Sequence, residues 1–93
     1  MTREEAIRAV AHCVLQDRND TYGSPENNFS RVAKLWSAYF GVAFEPHDVA
    51  AMLALLKIAR ISTNPTHADS WVDLAGYAVC GAEVSELLEA KGV

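Results

Sequence analysis

A chain of 93 residues has room for one domain, and at 51% hydrophobic it carries more apolar side chain than a body of that size buries alone. A net charge of −4 argues against a protein whose main task is to grip nucleic-acid backbone, which calls for a basic face. The longest apolar run, Val49 to Ile61, is broken by Lys57 and Arg60 and is too short to span a bilayer, so the surplus points to self-association, as a dimer or tetramer, rather than to a membrane.

The N-terminal Met1-Thr2-Arg3-Glu4-Glu5 leads straight into an amphipathic pattern, with no apolar leader or cleavage site, and predicts a cytoplasmic protein. Thr2 followed three residues later by Glu5 is a capping box. It opens a first helix from about Arg3 to Arg18, with Ala6, Ile7, Val10, Val14 and Leu15 on one face. The turn formers Asn19-Asp20-Thr21-Tyr22-Gly23 predict its end. Ser24 as cap, Pro25 in the first position and Glu26 at the positive end of the dipole start a second helix. Its stripe is Phe29, Val32, Ala33, Trp36, Tyr39 and Phe40, and Gly41 stops it.

A third helix is predicted from Pro46 to about Ser62. Its middle, Ala50 to Leu56, is apolar on every side, the mark of a central helix covered all round. Asn64-Pro65 breaks it. A fourth helix, capped by Thr66 with Asp69 three residues on, runs from His67 to about Lys91 and ends at Gly92. Gly76 and Gly81 lie inside it with Ala75, Ala78 and Ala82. They form a smooth strip for close helix approach, either within the chain or between subunits, where the contact is expected at this face or at the aromatics of the second helix. The whole is one all-α domain over residues 1–93, a four-helix up-down bundle that assembles as an oligomer.

Cys13 and Cys80 sit among small apolar residues with no CxxC or Cys/His cluster, and read as buried free thiols in a reducing compartment. Two constellations carry potential chemistry. Lys57 and Arg60 close the third helix, and Asp69, Asp73 and Tyr77 share one face at the start of the fourth. A short connection makes the two helices antiparallel and sets the groups face to face. Either they are structural pairs, Arg60 with Asp69 and Lys57 with Asp73, or they line a polar pocket with bases for phosphate and acids for ribose, base edge or metal. The second constellation is Arg18 to Gly23 with Asn27, Asn28 and Phe29. Here a glycine-containing loop before a helix start offers N–H groups to an anion, Tyr22 offers a stacking face, and Asn27 or Asn28 can read a base edge. Turn formation and capping account for the same residues. His67 with Asp69 and Asp73 is a metal spacing that is common by chance. No dinucleotide fingerprint, P-loop, HExxH or nucleophile–base order is present.

The ordered string Arg18-x-x-x-Tyr22-Gly23, Asn28-Phe29, Leu35-Trp36, Asp48-Val49-Ala50-x-Met52-Leu53-x-Leu55-Leu56-Lys57-Ile58-Ala59-Arg60 and His67-x-Asp69-Ser70-x-x-Asp73-x-Ala75-Gly76-Tyr77 resembles a family of small phage-encoded proteins of unknown function. More loosely it is similar to all-α nucleotide-modification-associated domains and to MazG-type nucleoside triphosphate pyrophosphohydrolases. Those relatives imply nucleotide ligands and oligomeric helical bundles. The MazG-type pattern also implies Mg²⁺ held by E-E-x-x-E and E-x-x-D, but this chain has Asn27-Asn28-Phe29-Ser30-Arg31 in the first place and Asp69-x-x-x-Asp73 in the second. With the first carboxylate set missing, metal activation of water lacks ligands. The resemblance therefore implies a binder of small nucleotides, of the kind that sequesters cyclic nucleotide signals of host defence, with no cofactor. A Mg²⁺-dependent pyrophosphohydrolase and a ligand-free protein-interaction module are the alternatives. The expected ligand-binding residues are Arg18, Tyr22, Gly23, Asn28, Lys57, Arg60, Asp69 and Asp73.

Overall fold

The structure, a computed structural model, describes residues 1–90, with the side chains of Tyr22, Glu89 and Ala90 outside the description. All described elements are helical. In order they are α1 (Arg3–His12), a π-helical turn (Cys13–Asp17), α2 (Arg18–Tyr22), α3 (Pro25–Phe40), α4 (Pro46–Thr63), α5 (Ala68–Val84) and α6 (Glu86–Ala90). The first three run on as one arm, so four long helical arms make up the fold. The Gly92 stop expected for the last helix lies outside the described residues, as does Lys91.

The helix starts obey local chemistry. The Thr2 hydroxyl accepts from the Glu5 N–H at 3.1 Å and the Glu5 carboxylate accepts from the Thr2 N–H at 3.0 Å. Those bonds hold the Glu5 carboxyl below its usual range. Ser24 caps α3 by accepting from the Asn27 N–H at 3.3 Å, with Pro25 in the first position. Gly41 ends α3 in the left-handed region at φ 69°, where a Cβ is disfavoured. The α3–α4 turn is fastened by Ser37, whose hydroxyl donates to the Ala33 carbonyl at 2.7 Å and accepts from the Phe44 N–H at 2.8 Å.

Several expectations are corrected. The first helix does not stop at Arg18. A π turn at Cys13–Asp17, in which the Arg18 N–H reaches the Cys13 carbonyl, carries it on to Tyr22, and only Gly23 at φ 80° ends it. Turn propensity at Asn19-Asp20-Thr21 is a weak prior that packing has overridden. The last helix is not one rod: α5 ends at Val84 and α6 follows Ser85. Its cap is His67, not Thr66, and the His67 Nδ1 lies 3.0 Å from the Ser70 hydroxyl.

The strip of small residues on α5 faces its own chain. A Cβ at Gly76 would meet Val14 Cγ1 at 3.2 Å, and one at Gly81 would meet Ala50 Cβ at 3.2 Å. Gly81 thus sets the α4–α5 separation and Gly76 admits the π turn. Close approach within the chain explains both glycines.

The core is thin. Val14, Phe29, Ala33, Val49, Ala50, Cys80 and Val84 form it, with Val10, Trp36, Leu53 and Tyr77 packed at its edge. The central helix is not covered all round: Met52, Leu55, Leu56 and Ile58 of α4 are exposed. Ile7 and Leu15, expected on the buried face of the first helix, are exposed too. They line a wholly apolar groove of about 410 Å³ with Val10, Ala75 and Val79. The accessible surface is 6319 Å² for 10.1 kDa, against about 5300 Å² for a compact monomer of that mass. The radius of gyration is likewise 14.0 Å where about 12 Å is usual for such a length. No helix among the described residues is long and apolar enough to cross a membrane.

Candidate functional site

Polar groups converge where the π turn crosses α5. The helices cross closely there because Gly76 carries no side chain opposite Val14. Widening the helix at Cys13–Asp17 seats Arg18 against the core edge. Its guanidinium carbon stands 4.8 Å from the centre of the Phe29 ring and 5.6 Å from that of Tyr77. Both separations are within cation–π range. From the other side, Lys57 of α4 reaches Asp73 of α5 with Nζ–Oδ2 at 2.9 Å. The Lys57 side chain is only 12% exposed and that of Asp73 36%. A cavity of about 40 Å³ opens among Cys13, Arg18, Asp73, Tyr77 and Cys80. It has room for a water or two, far below the roughly 300 Å³ at which ligand pockets begin. Burial pushes the Cys80 thiol up, with the charge of Arg18 opposing that shift. Cys13 is half-buried and, like Cys80, a free thiol.

Of the expected site residues, Arg18, Lys57 and Asp73 are brought together, and Tyr77 joins them. Arg60 and Asp69 are not part of this cluster. Both are exposed, and among the described residues no ion pair joins them. Arg60 instead borders an open depression with Thr63, Asn64, His67 and Ser70 at the α4–α5 turn. The pair expected between Lys57 and Asp73 forms; among the described ion pairs there is none between Arg60 and Asp69, both of which face solvent.

The expected anion loop is not there either. The Gly23 N–H donates to the Asn19 carbonyl at 2.9 Å and the Asn28 N–H to the Ser24 carbonyl at 3.0 Å, so these amides are committed to helix ends. Asn28 is half-buried beside Phe29, and the Tyr22 side chain lies outside the description. Phe29 was expected both in the apolar stripe and in the constellation with Arg18; its place under the guanidinium follows from the extended first arm, which the turn-like residues conceal.

Among the described residues, no three His, Cys, Asp or Glu side chains gather closely enough to hold an ion. Asp73 is engaged by Lys57. The described residues of one protomer do not fit a Mg²⁺ centre.

Fold and site together define an all-helical protein with a half-buried cation–aromatic–carboxylate cluster at a π-helical crossing. The domain of unknown function DUF6378 matches residues 5–85, and the chain belongs to that family. It is 53% identical over 62 residues to the Gene 55 protein of Mycobacterium phage L5, covering 66% of this chain and 40% of the phage protein. The Gene 55 protein of Mycobacterium phage D29 is 36% identical over 83 residues, 89% of this chain and 55% of that protein. The chain thus spans about half the length of the curated relatives it matches. No solved structure matches it.

Proposed function

We propose that this protein is a homo-oligomeric binder of a small nucleotide, with Arg18 and Lys57 meeting the ligand's phosphate groups at the mouth of the crossing. The observation that carries the reading is the convergence of Arg18, Lys57 and Asp73 from three separate helical arms into one half-buried cluster. Taking charges out of water is costly and adds little net stability, so their retention at this depth favours a role beyond packing. The π turn beneath them supports the same reading, since such turns occur frequently at functional sites.

The 40 Å³ cavity does not enclose a nucleotide, so the ligand lies across its mouth, with Lys57 turning from Asp73 to reach it. An aromatic face suited to a base stands alongside in half-buried Tyr77. In a family with mycobacteriophage members, a binder that leaves its ligand unchanged would serve by withdrawing nucleotide signals of host defence.

The test is a melting panel of mono-, di- and triphosphates and of cyclic mono- and dinucleotides, followed by chromatography of the ligand released on heating. A ligand at 100 times its dissociation constant stabilises by about 2.7 kcal/mol. That is a rise of roughly 10–20 °C for a domain this small. Recovery of the ligand intact is the expected result. Conversion of a triphosphate to monophosphate in the presence of Mg²⁺ would move the protein to the hydrolase class, and a flat panel would leave it an interaction module.

A further inference from the structure

The outer face of α4 is apolar and uncovered in the protomer. On it lie Ala51, Met52, Leu55, Ile58, Ala59 and Ser62, all exposed and all uncharged. A helix facing water ordinarily carries its charges there; this one turns Lys57 inward to Asp73 and keeps its apolar residues outside. Ala51, Leu55, Ile58 and Ser62 recur at alternating steps of four and three, the spacing of a helix–helix seam. Leu55 is 62% exposed and Ile58 49%.

We infer that this face is the contact between two copies of the chain, with the α4 helices packed antiparallel across a two-fold axis at Leu55. The sequence of the face is self-complementary about that point. In such a pairing Leu55 meets Leu55 of the partner subunit. Met52 packs on Ile58 of the partner subunit and Ala51 on Ala59 of the partner subunit, so large residues meet large and small meet small. An isologous contact requires this symmetry, whereas a groove for an unrelated helix does not.

The area agrees. The protomer exposes about 1000 Å² more than a compact monomer of its mass. One side of a standard stable interface is about 800 Å². The strip of small residues on α5 cannot be the contact, because Gly76 and Gly81 are already occupied by Val14 and Ala50 of the same chain. The inference does not depend on the ligand reading; each can fail without the other.

The test is sedimentation of the full chain at tens of micromolar, with two variants. Wild type is expected at the dimer mass or a multiple of it. Leu55→Glu, a change at a residue exposed in the protomer, is expected to halve the assembly mass while the circular dichroism stays helical. Leu55→Cys is expected to form a covalent dimer under mild oxidation, because a residue on the axis meets itself. Leu35→Cys, an exposed position on α3, is expected not to. A monomeric wild type overturns the proposal, as does an assembly of unchanged mass in Leu55→Glu. If Leu55→Glu does not fold, the cross-link decides: Leu55→Cys giving no more covalent dimer than wild type or Leu35→Cys refutes the axis.

Discussion

The Lys57–Asp73 pair makes an asymmetric prediction, because its two ends sit at different depths. The ammonium end is nearly sealed, at 12% side-chain exposure, while the carboxylate keeps 36%. Asp73→Ala strands the buried cation, next to the cavity that Arg18 also lines. Breaking a buried pair from one side costs about 3–5 kcal/mol, and the flexible lysine stem recovers part of that by reaching outward, so about 3 kcal/mol is expected. Lys57→Met keeps the aliphatic stem and strands only a carboxylate that water already reaches, at about 1 kcal/mol. Replacing both, as Lys57→Met with Asp73→Leu, should fall within about 1 kcal/mol of wild type, since well-packed apolar substitutes often match an ion pair. At about 4–8 °C per kcal/mol, Asp73→Ala melts roughly 12–24 °C lower and Lys57→Met roughly 4–8 °C lower. Thermal and urea denaturation at equal protein concentration measure all three and complete a double-mutant cycle. Lys57→Met proving as damaging as Asp73→Ala, or the double variant proving no better than Asp73→Ala, would refute the reasoning from burial.

Three further predictions are independent of that pair. Gly81→Ala places a Cβ 3.2 Å from the backbone-fixed Ala50 Cβ and must push α4 from α5, whereas Gly76→Ala meets only the movable Val14 Cγ1. Overpacking costs about 1–3 kcal/mol and each alanine returns up to about 1 kcal/mol of helix propensity, so Gly81→Ala should lower the melting temperature while Gly76→Ala stays near wild type. The thiols should separate kinetically: iodoacetamide labels half-buried Cys13 first and buried Cys80 last, and a bound nucleotide slows Cys13, which lines the cavity. Because burial raises the Cys80 thiol above its ordinary 9.0, the neutral form is favoured on folding. That contribution is present below 9.0 and is lost as pH rises through the folded-state value, so urea stability should decline on the alkaline side and Cys80→Ala should flatten the decline.

What could be read from the sequence was what is settled within three or four residues. Thr2 with Glu5, Ser24 before Pro25, Pro46 and Gly41 each mark a helix end through a bond or dihedral of their own, and each stands where expected. The Lys57–Asp73 pair was also legible, because a short connection between α4 and α5 fixes which turns oppose. Where an outcome depended on a neighbouring element, the signal failed. Asn19-Asp20-Thr21 look like a turn in isolation, yet the π turn packed on Gly76 carries them as helix. Arg18 was placed in the site for its part in an anion loop. It stands over Phe29 and beside Tyr77 because the arm stays helical through Tyr22.

Helix α4 shows why a burial pattern does not name the covering partner. Apolar residues on every side of a helix say that every side is covered, and nothing in one chain's sequence says whose atoms do the covering. Val49, Ala50 and Leu53 are covered by α3 and α5 of the same protomer. Met52, Leu55 and Ile58 are not. The same ambiguity, with the opposite resolution, held for Gly76 and Gly81, whose smallness serves a contact inside the chain. A small residue and a large apolar residue are each consistent with an internal or an external partner. Only the packing separates them, and it leaves the outer face of α4 open while the two glycines of α5 are covered within the chain. Burial of that face would hold the inner side of α4 in place as well, and with it Lys57. Dissociating the assembly by Leu55→Glu should therefore loosen the Lys57–Asp73 cluster. Backbone amides of α4 around Lys57 should then exchange faster in Leu55→Glu than in wild type at matched protein concentration. Equal exchange there would mean the cluster is rigid in the protomer alone and owes nothing to the α4 seam.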